Sequence, residues 1–148
     1  MKKPIIALAA DHAGFHMKDI ISHFLVKEGY EVKDFGTHSY TDVDYPDFAH
    51  QLGYAIDSHE YELGFVFCGS ANGVNMTVNK HANVRSALCW TAEIAELAKA
   101  HNNANVCAIP ARFISANEAI KIAKAFLNTD FEGGRHERRT NKISIPCL

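Results

Sequence analysis

The chain has 148 residues, 47% hydrophobic and 22% charged, a composition typical of a soluble globular protein that can bury a core without staples. A formal net charge of −2 argues against a dedicated nucleic-acid binder, which would carry a strong basic excess. The length suits one domain over residues 1–148, and no stretch approaches the ~18 apolar residues of a membrane span.

Lys2-Lys3 and the apolar run after it imitate a secretory leader, but the run stops early at Asp11-His12. Ile5 to Ala9 therefore reads as a first strand. From Phe15 to Glu28, Met17, Ile20, Ile21, Phe24 and Leu25 share one helical face, and Gly29 is a natural stop. Tyr30 to Phe35 alternates like a strand, and Gly36 to Tyr45 is a polar loop. Pro46 suits the first turn of a helix carrying Phe48, Leu52, Ala55 and Ile56. Leu63 to Phe67 is a third strand, delivering Cys68 into a turn that opens a short helix from Gly73 to about His81. Val84 to Cys89 is a fourth strand, Thr91 to Ala100 a helix, and Val106 to Ile109 a fifth strand. Ser115 and Glu118 form a capping box for a helix through Phe126. Residues 129–148 are polar and basic and read as an arm that packs on a neighbouring subunit.

Five strands alternating with helices predict an α/β, three-layer αβα sandwich around a parallel, doubly wound sheet. Strand order 2-1-3-4-5 is expected, in the Rossmann/flavodoxin-like manner, with a ligand at the carboxyl ends where strands 1 and 3 diverge. Asp11 and His12 would close strand 1 there, and Cys68 and Gly69 would close strand 3.

Leu63 to Gly73 is the most informative stretch. Gly69 and Gly73 let the chain turn sharply and aim backbone N–H groups at one point, a cradle for an anionic oxygen or phosphate. The helix end after them is expected to favour the Cys68 thiolate. The bland alternative makes Cys68 a small buried hydrophobe. Asp11 is either a carboxylate with chemistry to do or a cap, and His12 and His16 have metal-pair spacing without an obvious third ligand. His101-Asn102 closes a helix, where the dipole alone favours a histidine; it is expected at the same end of the sheet as Cys68 or near a subunit boundary. Gly133-Gly-Arg-His-Glu-Arg-Arg139 is either a solvated tail or a phosphate clamp built from Arg135, Arg138 and Arg139, with Arg112 adding to it. The four cysteines, Cys68, Cys89, Cys107 and Cys147, show no metal spacing, and a reducing cytoplasm is the expected compartment.

Ala10-Asp-His-Ala-Gly14, Asp44-Tyr-Pro46, Cys68-Gly-Ser70, His101-Asn102, Asn105-Val106 and Gly133-Gly-Arg-His136 occur in this order. Together they resemble the ribose-5-phosphate isomerase B family, whose relatives include galactose- and allose-6-phosphate isomerases. The resemblance runs from Ile5 to Arg139. It implies interconversion of aldose and ketose phosphates, ribose 5-phosphate and ribulose 5-phosphate foremost, without metal or organic cofactor. It further implies that Cys68 shuttles a proton between C2 and C1 through a cis-enediolate, and that N–H groups from Gly69 to Gly73, including those of Ala71 and Asn72, hold the oxyanion. His101, with Asp11, would open the furanose ring. Asn102 would orient hydroxyls and Tyr45 would line the pocket. His12, Arg112, Arg135 and Arg139, with His136 beside them, would bind substrate at its phosphate. The family works as a dimer or dimer of dimers, so a homodimer or homotetramer with shared sites is implied.

The family's commonest loop reads Cys-Gly-Thr-Gly-x-Gly, whereas this chain has Cys68-Gly-Ser-Ala-Asn-Gly73. Ser70 keeps the hydroxyl placed with the catalytic residues. Ala71 stands where a glycine is usual, so positive φ would be strained there. Two readings of another class are a phosphosugar-binding module without turnover and a thiol nucleophile of the hydrolase kind.

Overall fold

A computed structural model describes residues 2–146; the expectations for Cys147 and Leu148 fall outside them. Five parallel strands form the sheet: β1 (Ile6–Ala10), β2 (Val32–Asp34), β3 (Leu63–Cys68), β4 (Ser86–Leu88) and β5 (Val106–Pro110). Six helices accompany them: α1 (Phe15–Lys27), α2 (Tyr45–Asp57), α3 (Asn72–Val78), α4 (Ala92–Asn102), α5 (Ala116–Asn128) and α6 (Arg135–Thr140).

Period-two side-chain alternation sorts the sheet into two cores. Ile6, Leu8, Phe65, Phe67, Cys107 and Ile109 face α1, α4 and α5, where Phe126 meets Phe65 edge-on with ring centroids 5.4 Å apart. Ala7, Ala9, Val66, Cys68, Val106 and Ala108 face α2 and α3. Alanines on that side let α2 approach closely. The result is the three-layer sandwich expected from the alternation of elements.

The strand order is 2-1-3-5-4 rather than 2-1-3-4-5. β5 is buried along its whole length and takes the interior position beside β3, whereas β4 is three half-buried residues and takes the edge. Arg85 and Ser86 make the fourth segment a poor interior strand, while Val106–Pro110 is apolar throughout. A parallel strand covered on both faces needs that continuous apolar run. Within the expected arm, residues 135–140 form α6, packed on α4 of the same chain, and its first turn follows two glycines at positive φ.

Candidate active site

Cys68 ends β3 at the carboxyl edge of the sheet, beside the carboxyl end of β1. Ala10 pairs with Phe67, so Asp11 emerges next to Cys68. Asp11 is 7% exposed, and its Oδ1 accepts the Gly14 N–H at 3.0 Å. It therefore caps the turn into α1 while its charge faces the thiol. Gly14 is required by close approach: a Cβ there would lie 2.4 Å from the Phe67 carbonyl oxygen.

After Cys68 the chain turns through Gly69 and Ser70 into α3. Ala71 has φ 63°, the left-handed region, and is fully buried, so the strain expected of a non-glycine residue is present. Ser70 Oγ accepts the Asn72 N–H at 3.3 Å, and both side chains are exposed at the mouth of the turn. A Cβ on Gly73 would meet the Tyr45 ring at 2.6 Å, which sets Tyr45 directly against the turn. Arg112 follows β5 on the other side; its N–H donates to the Gly69 carbonyl at 3.0 Å, and its side chain lies over Gly69. His12 is held by the 37–44 loop: its Nδ1 accepts the Val43 N–H at 3.1 Å, and its Nε2 lies 3.4 Å from Asp42. A cavity of about 520 Å³ opens there, lined by His12, Asp42, Val43, Asp44, Asp47 and Phe48.

The thiol titrates differently from the expectation. Burial pushes the Cys68 thiol above its ordinary value, the Asp11 charge adds to the rise, and N–H groups of Val74, Ala71 and Gly73 oppose it. Desolvation wins because α3 is only seven residues long, and a short helix end offers little positive charge against a 5% exposed sulfur. The N–H groups of the turn do converge, but on the sulfur itself.

His101 and Asn102 occupy the last turn of α4, ahead of β5. β5 starts opposite Gly64, while Cys68 pairs with Pro110 four residues along, about 13 Å further at strand rise. His101 thus lies at the amino edge of the sheet, not at the Cys68 end, because a helix returning from a parallel strand finishes where the next strand begins. His136 joins it there, stacked on His101 with centroids 4.3 Å apart. Arg135 and Arg139 project from α6 into solvent. Asn102 lines a second cavity of about 590 Å³ with Ser86, Arg85 and Ile143.

One chain therefore carries two groups. Cys68, Gly69, Ser70, Ala71, Asn72, Gly73, Asp11, His12, Tyr45 and Arg112 gather at the carboxyl edge. His101, Asn102, Arg135, His136 and Arg139 gather at the other. Two partners escaped the sequence reading. Asp42 belongs to an irregular loop whose path no periodicity reveals. Glu132, which faces both His101 and His136, was signalled only by its four-residue spacing from His136.

The comparisons with known proteins agree with this architecture. A family model described as Ribose/Galactose Isomerase matches residues 6–143. Ribose-5-phosphate isomerase B of Escherichia coli is 38% identical over 144 residues, covering 97% of this chain and 95% of that protein. The crystal structure of a ribose 5-phosphate isomerase from Thermotoga maritima superposes with TM-score 0.93 at 43% identity, covering 95% of this chain and 97% of that one. Ribose-5-phosphate isomerase B from Mycoplasma genitalium, solved with bound ribulose-5-phosphate, gives TM-score 0.91 at 40% identity, covering 94% and 93% of the two chains. The chain belongs to the ribose/galactose isomerase family.

Proposed function

We propose that this protein is an aldose–ketose isomerase interconverting ribose 5-phosphate and ribulose 5-phosphate, with Cys68 as the proton-transferring base. The observation that carries this reading is the thiol at the end of β3, set in a turn of backbone N–H donors, in a chain whose Mycoplasma relative binds ribulose-5-phosphate.

The C2 proton of an aldose is weakly acidic. Its removal needs a base poised over C2 and a stabilised enediolate. The thiolate takes the C2 proton and returns it to C1. A proton meanwhile moves between the O1 and O2 oxygens, for which the exposed Ser70 hydroxyl is suitably sited. Negative charge leaves the sulfur for the enediolate during the step, and the N–H donors of the 69–74 turn sit where they can follow it. Arg112, its side chain over Gly69, supplies a positive charge beside the turn. Asp11 and His101 are assigned to furanose opening, Tyr45 and Asn102 to the sugar, and His12, Arg135 and Arg139 to the phosphate, with His136 backing His101.

Because the two groups of residues lie at opposite edges of the sheet, one chain cannot close around a pentose phosphate. We infer a homodimer, or an even multiple of one, in which the His101 edge of one copy meets the Cys68 edge of the other. Turnover on a panel of aldose phosphates tests the substrate. Ribose 5-phosphate should exceed allose and galactose 6-phosphates in kcat/KM. A six-carbon sugar turned over faster would transfer the assignment to that substrate with the mechanism unchanged.

A further inference from the structure

Between α5 and α6, Glu132 is set against two imidazoles. One carboxylate oxygen lies 3.8 Å from His101 Nε2, and the other lies 3.3 Å from His136 Nε2. Among the described residues this is the single trio whose potential ligand atoms all lie within 4.8 Å of one another. Backbone bonds hold it: the Glu132 N–H donates to the Ala100 carbonyl at 3.0 Å, and the His136 N–H donates to that of Gly133 at 3.1 Å. His136 is buried, with its Nε2 turned to the carboxylate.

Orienting a catalytic histidine needs one carboxylate and one imidazole. Here a second imidazole stacks on the first with its Nε2 on the same side. Two histidines and a carboxylate form the donor set of zinc sites that leave a fourth position open. We propose that His101, Glu132 and His136 bind a divalent transition-metal ion of the zinc class, and that the bound ion withdraws His101 from the sugar. Metal–ligand bonds of about 2.0–2.2 Å need these atoms roughly 3.3–3.5 Å apart, so a trio spread over no more than 4.8 Å must close by at most about 1.5 Å. The rings lie 7° from parallel, and an ion in the plane of both requires one to turn. His101, half-exposed, has the room, while buried His136 and the tethered Glu132 backbone stay fixed. Arg135, Arg138 and Arg139 oppose a cation nearby, which suits reversible occupation rather than a permanent structural ion. The inhibitory consequence rests on the ring-opening role proposed for His101; the binding itself does not.

The test is calorimetric titration of zinc into chelator-treated, full-length protein. Wild type, Glu132→Gln and Cys68→Ala would be compared. The Glu132 side chain is 57% exposed, so the amide leaves the fold intact while removing the charged ligand. Wild type should bind one ion per chain. Glu132→Gln should weaken binding on the order of tenfold or more, and Cys68→Ala should leave it unchanged. Cobalt in place of zinc should give visible ligand-field bands without sulfur charge transfer. Absence of saturable binding, equal binding by Glu132→Gln, or a charge-transfer band lost in Cys68→Ala would overturn the site. Zinc should also inhibit wild type more than Glu132→Gln, and turnover unaffected by bound zinc overturns the inhibitory role. A chain that binds zinc with this pattern but turns over no sugar sustains the metal site and removes the isomerase assignment instead.

Discussion

As the base of the proposed mechanism, Cys68 combines two opposing demands. A base that removes a carbon-bound proton is more effective in a dry site, yet drying the thiol raises its pKa. Burial is the larger effect here, and Asp11 adds to it. If the Cys68 thiolate is the base, turnover follows the thiolate fraction, so kcat/KM should rise with pH through a limb above the ordinary thiol range. Replacing Asp11 with Asn removes a negative charge that favours the neutral thiol, and the amide oxygen can still accept the Gly14 N–H. The rising limb in Asp11→Asn should therefore move to lower pH, whatever happens to its height. A limb that stays in place, measured on the free enzyme's kcat/KM, would show that Asp11 does not act on the sulfur. The sequence revealed the thiol and its turn but not the direction of its titration. That direction depends on how deeply the sulfur is buried under α2 and α3, a tertiary quantity. The strain at Ala71 was legible, because Ala71 stands where the family's commonest loop has a glycine, and the structure does give it φ 63°.

At the scale of elements, β3 and α1 are locked by a contact that only glycine permits. Gly14 sits on the Phe67 backbone, and rigid carbonyl atoms cannot give way to a methyl group. Gly14→Ala should cost about 1–3 kcal/mol or more in urea unfolding, as overpacking does, and should displace Asp11 from Cys68. Unchanged stability would mean that the α1 entry is more pliable than its packing implies. The helices and strands themselves were readable from periodicity, capping residues and glycine stops, within a few residues at each end. The order of the last two strands was mistaken, although Arg85 and Ser86 already marked the fourth segment as an edge. α6 was missed because a six-residue, highly charged helix has no apolar periodicity of its own and owes its form to packing on α4.

For the whole molecule, the separation of His101 from Cys68 within one chain is the feature with the widest consequence. A histidine before β5 and a cysteine at the carboxyl end of β3 necessarily fall at opposite ends of a parallel sheet. The sequence allowed either a shared end or a subunit boundary, and topology removes the first. If two copies exchange these edges, Cys68→Ala and His101→Ala chains should complement each other. An equal mixture after full subunit exchange places one intact site in each hybrid dimer, about a quarter of wild-type activity for statistical pairing. No recovery after demonstrated exchange would mean that each site is built from a single chain.

The measurement that bears most directly on the isomerase assignment is proton NMR of the purified protein with ribose 5-phosphate in deuterium oxide, run beside Cys68→Ala. Wild type should form ribulose 5-phosphate, with deuterium appearing at C1 to the extent that the thiol exchanges with solvent, and Cys68→Ala should form none. A wild-type protein that leaves the sugar unchanged, or a Cys68→Ala protein that turns it over at a near-normal rate, would contradict the account.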